Sequence, residues 1–170
     1  TKAILSRYPF YDQAPSSLQQ EIFKAAEHVY VPAGHVLFAT GNVCQQLVLL
    51  GQGCIRVFSQ SNSGREFTLY HVNPGETCPI SIMCVLLGKL APASAVVTSP
   101  LEAIILPALQ FQNWVDNEPE VRLFAIESLG DRLADVILLV EEMVFNHLDI
   151  RLADFLCSRF GAGEEKHPVL

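Results

Sequence analysis

Alternating apolar and polar positions dominate the middle of the chain, from about His28 to Pro107. The alternating apolar pairs are Val29 and Val31, Val36 and Phe38, Leu47 and Leu49, Ile55 and Val57, Phe67 and Leu69, Ala95 and Val97, and Ala103 and Ile105. Turn residues separate these pairs at 32–34, 40–42, 51–53, 61–64, 73–75 and 99–100. A period of two between regular turn signals is typical of an all-β sandwich or barrel, and no βαβ unit is visible. Residues 28–107 are therefore predicted to form a β-roll.

A different period marks the segment before the β-roll. Pro15 precedes two serines, and Leu18, Ile22 and Phe23 then follow at helical spacing. Ser16 or Ser17 is the predicted N-cap of this helix. Residues 1–27 are therefore predicted to form a helical cap.

A helical period also follows the β-roll. Pro119, flanked by two glutamates, indicates a helix start. Apolar residues then recur at spacings of three and four, as in the a and d positions of a coiled coil: Ile126, Leu129, Leu133, Val136, Val140 and Met143. The seam is too short to establish a coiled coil, so the alternative that this helix packs only on its own domain stays open. Since 137–139 and Val144 widen the apolar face, we expect residues 108–147 to pack on the β-roll and also on a partner helix, with a separate short amphipathic helix at 148–156.

Composition narrows the cellular setting. The 170 residues leave room for one domain and one further element, and the net charge of −7 argues against these residues gripping a phosphate backbone. We identify no signal peptide and no apolar run long enough to cross a membrane. Five cysteines, an odd number, then favour free thiols in a reducing cytosol over a disulfide scaffold. A cytoplasmic protein without membrane contact is expected.

The order of a β-roll, a long helix and a short helix resembles the Crp/Fnr family of bacterial transcription regulators. The residues that carry the resemblance are 31–34 with 37–38 and Gly41, then 47–50 with Gly53 and 55–57, then 64–69 with 73–76, and finally 148–153. The family implies a mainly β fold with helices, a double-stranded β-helix (jelly roll) like that of cyclic-nucleotide-binding domains, followed by a long dimerisation helix. It also implies an effector-sensing role, a homodimer, and DNA binding through a C-terminal helix-turn-helix domain that is absent from this sequence, with 148–170 as its start.

The effector segment departs from the pattern of family members that bind cyclic AMP. Those members carry Gly-Glu-Leu after the Pro-Gly turn, and later an Arg followed by Ser or Thr and Ala; the Glu binds the ribose and the Arg pairs with the phosphate. By this resemblance the pocket positions are Pro79, Ile80, Ser81, Ala93, Ser94 and, on the long helix, Val136. Without the acid and the arginine, burying a phosphate charge there would be costly. An unknown small effector other than cyclic AMP is expected, although Lys89 leaves a different arrangement open.

Two cysteines lie in that same segment, which makes a thiol switch one hypothesis. Oxidants or reactive sulfur species could bridge Cys78 and Cys84. Six extended residues span roughly 20 Å, whereas a disulfide needs Cα atoms within about 7 Å, so the segment must coil. Pro79 and the apolar run 82–87 favour a short helix. If the backbone keeps the two thiols apart, Cys54 or Cys44 would be the partner; the alternative is that all the cysteines only fill a core.

Other site chemistries find less support in the sequence. A four-cysteine cluster site from Cys44, Cys54, Cys78 and Cys84 has no recognised spacing, and no Cys-x2-Cys zinc motif occurs. Neither a cupin metal set (His28, His35 and His71 do not reproduce one) nor a catalytic nucleophile is visible. We predict no enzyme activity, metal or cofactor. Haem ligation by His71, His35 or a cysteine, a small apolar ligand, and a standalone dimeric β-roll that binds a protein stay open as alternatives.

Overall fold

The computed structural model describes residues 1–61 and 63–160, with side chains described up to residue 141. Helices and strands follow one another as α1 (Lys2–Leu5), α2 (Pro9–Asp12), α3 (Ser16–Ala25), β1 (Glu27–Val31), β2 (Val36–Phe38), β3 (Gln46–Gln60), β4 (Glu66–Val72), α4 (Pro79–Leu87), β5 (Ser94–Pro107), α5 (Ala108–Asn117) and α6 (Pro119–Phe160). The predicted mainly β fold followed by a long helix is confirmed.

The strands form an antiparallel sheet around β5. β5 pairs with β3 along one side and with β1 and β2 along the other, and β3 also pairs with β4. Leu49 lies opposite Ile104 and Leu47 opposite Leu106, and all four side chains are buried. The alternation seen in the sequence therefore corresponds to inward and outward faces of paired strands.

The turns predicted at 51–53 and 99–100 are wrong. β3 continues through the first segment and β5 through the second, and the register between the two strands shifts from Leu50 to Ile55. Gly53 has φ +94°, and a Cβ atom there would lie 2.5 Å from the carbonyl oxygen of Pro100. The glycines and the proline thus mark β-bulges at which two long strands bend together, rather than chain reversals.

The N-terminal cap contains more helices than the sequence predicts. α1 and α2 precede α3, and α3 begins at Ser16 with Pro15 at the N-cap and no side-chain capping bond. The predicted serine N-cap is therefore wrong, because both serines lie inside the first turn. Leu18 and Ile22 are buried as expected, whereas Phe23 is exposed.

Buried apolar side chains form two clusters. The helix-side core contains Ile4, Leu5, Tyr8, Phe10, Tyr11, Ala14, Leu18, Ile22, Cys44, Leu47, Leu49, Ile82, Cys84, Val85, Ala91, Ile104, Leu106, Phe111, Trp114, Val121 and Ala125. The sheet core contains Leu50, Ile55, Val57, Val72, Cys78, Ala93, Ala95, Val97, Leu101 and Ala103. Ile80 of α4 packs against both clusters, so α4 lies between them.

The chain divides into a compact unit of residues 1–130 and a second unit that begins at Asp131. Helix α6 begins at Pro119, as predicted, and its first turns bury Val121 and Ala125 in the first unit. The separate helix expected at 148–156 is instead continuous with α6, because no glycine or proline interrupts 131–160. Residues 161–170, the last part of the 148–170 region, lie outside the described residues. No helix among the described residues is apolar enough over its length to span a membrane.

Candidate functional site

The segment between β4 and β5 is held against β3 by its own polar groups. Residues 73–76 form a turn in which the Glu76 carboxylate accepts a hydrogen bond of 2.8 Å from the backbone N–H of Asn73. Thr77 donates its hydroxyl to the carbonyl oxygen of Val48 at 2.8 Å. These contacts place the residue that follows, Cys78, at the entrance of α4.

Helix α4 has the local signals of a short helix. Pro79 occupies its first position, where a missing N–H costs nothing, and Gly88 ends it in the left-handed conformation at φ 61°. The short helix expected around Pro79 and 82–87 is confirmed. Its side chains are apolar or small, which suits a helix that is covered by two cores.

Cys78 and Cys84 lie in different parts of the interior. Cys84 belongs to the helix-side core and Cys78 to the sheet core, and Cys78 Sγ lies 3.5 Å from the hydroxyl of Tyr70. Six residues of helix rise about 9 Å and turn the two side chains about 120° apart. That separation exceeds the Cα distance of about 7 Å that a disulfide tolerates. An intact α4 therefore keeps these two thiols from pairing directly.

Cys44 lies in the same core as Cys84. Both side chains belong to the helix-side core, and each thiol contributes to the shifted pKa of the other. The segment before Cys44 is fixed by backbone pairing with the residues after α4: Gly41 N donates to Ala91 O at 2.8 Å, and Val43 pairs with Leu90. The sequence offers Cys44 only as an alternative partner in a thiol switch, because no local pattern links residues that are forty positions apart.

Burial controls the acidity of this thiol pair. Burial, followed by the neighbouring Cys84, raises the pKa of Cys44 to about 12. Burial also raises the pKa of Cys84, although its interaction with Cys44 works against that rise. Both thiols are therefore protonated at neutral pH.

The pocket positions taken from the resemblance are largely apolar. Ala93 is buried in the sheet core, and Ile80 packs against both cores. Ser81 is buried, Pro79 is half-buried, and Ser94 accepts a hydrogen bond of 3.0 Å from the backbone N–H of Thr40. Val136, in the second unit, is 41% exposed. The positions that would hold the acid and the arginine thus carry an isoleucine and an alanine.

The remaining thiol and histidine candidates do not join this site. Cys54 lies on β3 opposite Ser99 and is only half-buried. His28 shares a 2.8 Å hydrogen bond with Glu102, and His35 and His71 are exposed. Within residues 1–61 and 63–141, no three histidine, cysteine, aspartate or glutamate side chains converge as a metal site.

The proposed dimer seam is exposed where the structure describes it. Ile126 is 60% exposed, Leu133 61% and Val140 52%, and Val136 is exposed as well. Leu129 instead packs partly against the helix-side core. The side chain of Met143 lies outside the described residues. The early turns of α6 therefore serve the chain's own core, and the later exposed positions leave an apolar stripe.

Similar proteins are found in both sequence and structure. Over 171 aligned residues the chain is 22% identical to the CRP-like cAMP-activated global transcriptional regulator of Mycobacterium tuberculosis, covering 95% of this chain and 72% of that protein. A Crp/Fnr-family protein from Eubacterium rectale has a TM-score of 0.75 at 22% identity, over 92% of this chain and 72% of its own. The catabolite activator protein of Thermus thermophilus has a TM-score of 0.67 at 24% identity, over 91% and 72%.

These similarities agree with a match over most of the first unit. Residues 28–118 match the cyclic nucleotide-binding domain model, which is more than half of the chain. The fold expected from the resemblance, with its β-roll and long C-terminal helix, is confirmed by the structural neighbours. The chain therefore belongs to the cyclic nucleotide-binding domain family, with Crp/Fnr-like regulators as its relatives and structural neighbours.

Proposed function

We propose that the chain is the effector-sensing and dimerisation part of a cytoplasmic Crp/Fnr-type transcription regulator that does not respond to cyclic AMP. Its relatives are transcription regulators rather than enzymes, which supports a regulatory role. DNA would be bound by a helix-turn-helix domain of the same regulator, because the acidic residues of this chain repel a phosphate backbone.

The observation that carries the proposal is the apolar lining at the nucleotide position. The Mycobacterium tuberculosis relative is described as cAMP-activated. Here Ala93 is buried where the resemblance places the phosphate-binding arginine, and Ile80 stands where it places the ribose-binding glutamate. A cyclic nucleotide entering this site would lose its hydration and gain neither partner.

Thiols at the same place support a redox or reactive-sulfur effector. Cys78 precedes α4, Cys84 lies within it, and Cys44 shares the helix-side core with Cys84. Oxidation would change the packing of α4 against its two cores. Haem or a small apolar ligand is the rival effector.

The signal has a physical route from α4 toward the dimer helix. Gln112 of α5 donates its side-chain amide to the carbonyl oxygen of Val85 in α4. α5 ends at Asn117, and α6 begins two residues later. A shift of α4 would therefore move α5 and the first turns of α6, and the exposed seam of α6 would carry the change to the partner in a homodimer.

DNA binding by the full-length regulator tests the proposal. We expect fluorescence anisotropy with its operator to respond to hydrogen peroxide or polysulfide and to show no response to cyclic AMP. The Cys78→Ser/Cys84→Ser variant should lose the response, whereas the Cys54→Ser variant should keep it. A cyclic-AMP-dependent rise in DNA affinity would refute the proposal, and a visible absorption band of the purified protein would favour the haem rival.

A further inference from the structure

We propose that a cleft between α3 and α5 binds a small zwitterion, of the class of free α-amino acids with an apolar side chain. None of the residues that line this cleft belongs to α4 or to the pocket positions taken from the resemblance. The cleft is therefore a second site, and a ligand there would act independently of the effector at α4.

The cleft has room for a molecule of this size. Its volume is about 490 Å³, and ligand sites in proteins commonly measure about 300–1,000 Å³. Glu21 and Lys24 line it from α3, and Gln110 and Asn113 line it from α5. Polar side chains from two helices thus converge on one open cleft.

The two charges of the cleft lie about one helical turn apart without pairing with each other. One oxygen of the Glu21 carboxylate accepts a hydrogen bond of 3.4 Å from the indole N–H of Trp114 on α5. Within residues 1–61 and 63–141, neither the Lys24 ammonium nor the second Glu21 oxygen has a hydrogen-bond or ion-pair partner. Both charges are therefore available to a ligand.

The spacing of these two charges matches the charged end of an amino acid. Residues three positions apart on a helix have Cβ atoms about 5–6 Å apart. In an α-amino acid the ammonium and carboxylate groups are attached to one carbon atom, so a carboxylate bound by Lys24 leaves the ammonium within reach of Glu21. Each contact would be a charge-assisted hydrogen bond. The Gln110 amide, which has no side-chain hydrogen bond among the described residues, can donate to the same carboxylate.

The apolar part of the lining favours an apolar side chain on the ligand. Ala25, Leu109 and the buried Trp114 also line the cleft. Leu109 is 80% exposed, so a ligand that covers it removes apolar surface from water. A zwitterion with an apolar side chain would contact all parts of this lining favourably, whereas an ion of a single sign would meet a like charge in the same cleft.

The single tryptophan of the chain lines this cleft, so its fluorescence reports binding there. L-leucine is a suitable probe, because it does not absorb light where tryptophan is excited. We expect leucine to change the Trp114 emission along a saturable curve. Since the cleft is open to solvent and its charges are partly screened, the expected Kd is on the order of 1 mM. No saturation below about 10 mM leucine would overturn the inference.

Analogues and matched variants test whether both charges are recognised. N-acetyl-L-leucine lacks the ammonium group and L-leucinamide lacks the carboxylate, and each should bind roughly tenfold more weakly than leucine. Lys24→Gln should weaken leucine binding by a similar factor, whereas Lys2→Gln, which removes an exposed charge outside the cleft, should leave the Kd unchanged. Both lysines are exposed, so neither substitution should disturb the fold. Equal affinity for the analogues, or an unchanged Kd in Lys24→Gln, would overturn the inference.

Thermal unfolding gives a second readout of the same site. Leucine that binds only the folded chain should raise the Tm of the wild type and of Lys2→Gln, and should leave that of Lys24→Gln unchanged. An equal rise in all three proteins would place leucine elsewhere and overturn the inference. The proposed function fails separately: a rise in DNA affinity with cyclic AMP would refute it and leave leucine binding at the cleft untouched.

Discussion

At the scale of single residues, Gly53 determines how β3 and β5 bend together. A Cβ atom at this position would lie 2.5 Å from the carbonyl oxygen of Pro100 and 2.9 Å from the Cα of Leu101, and both atoms belong to the backbone. Its φ of +94° is also unfavourable for any residue with a side chain. Two separate penalties therefore act against substitution here.

Gly53→Ala is expected to destabilise the fold by at least about 3 kcal/mol, because backbone strain and a backbone clash add together. Gly34→Ala is the matched control: its φ is +86°, and the added Cβ meets no atom within 4 Å. The control should lose only about 1–2 kcal/mol from strain. Urea denaturation at one fixed protein concentration measures both, and equal losses would contradict the role assigned to the bulge.

Cys44 predicts how stability depends on pH under reducing conditions. Its pKa rises from 9.0 to about 12 on folding, so between these values the folded chain keeps a proton that the unfolded chain has lost. The contribution of Cys44 to the free energy of unfolding should therefore be fully present below pH 9 and be lost as the pH rises toward 12. Tyr8, whose pKa burial raises, adds a fall of the same sign. The Cys44→Ala variant should show a shallower fall in alkaline urea titrations; an unchanged slope would contradict the assignment.

At the scale of elements, the N-terminal cap is attached to the sheet through Tyr8. Its buried hydroxyl lies 3.0 Å from the carbonyl oxygen of Leu50 at the β3 bulge and 2.8 Å from that of Glu76 just before α4. One side chain thus connects the cap, the bent strand and the α4 segment. The cap therefore contributes to holding the candidate site in place.

Tyr8→Phe is expected to cost about 1 kcal/mol, since it removes a buried donor to two carbonyl oxygens that keep backbone donors, Gly75 N for Leu50 O and Leu50 N for Glu76 O. Tyr30→Phe is a suitable control, because Tyr30 is 73% exposed and should change stability by no more than about 0.5 kcal/mol. Thermal and urea unfolding of the two variants provide the comparison. A loss for Tyr8→Phe no larger than that of the control would show that the hydroxyl does not hold the cap.

The elements also show what the sequence can and cannot predict. Strand positions, the start of α6 and the short α4 follow from local periods and from prolines, and all three are found. The continuity of β3 and β5 does not follow, because Gly51, Gly53 and Pro100 give the same local signal in a bulge as in a turn. The burial of Cys44 and Cys84 in one core depends on tertiary pairing such as that of Val43 with Leu90, and no local pattern predicts it.

At the scale of the whole molecule, the exposed apolar stripe on α6 predicts self-association. Val136→Asp/Val140→Asp would place two charges in a helix pair that excludes water, so the Kd of the dimer should rise at least tenfold. Leu109→Asp introduces the same kind of change on α5, outside the α6 stripe, at a site that is 80% exposed. Sedimentation equilibrium of both variants measures the effect, and a dimer that survives the double substitution would contradict the assigned interface.

The burial of Cys44 and Cys84 has a consequence in time. An oxidised thiol inside the helix-side core would be as hard for a reductant to reach as the reduced thiol is for an oxidant, and so would outlast the oxidant that formed it. Brief exposure would leave few oxidised thiols, and sustained exposure would accumulate them. A switch that used these buried thiols would therefore respond to exposure over time rather than to the momentary oxidant concentration, at a rate set by how often the core opens.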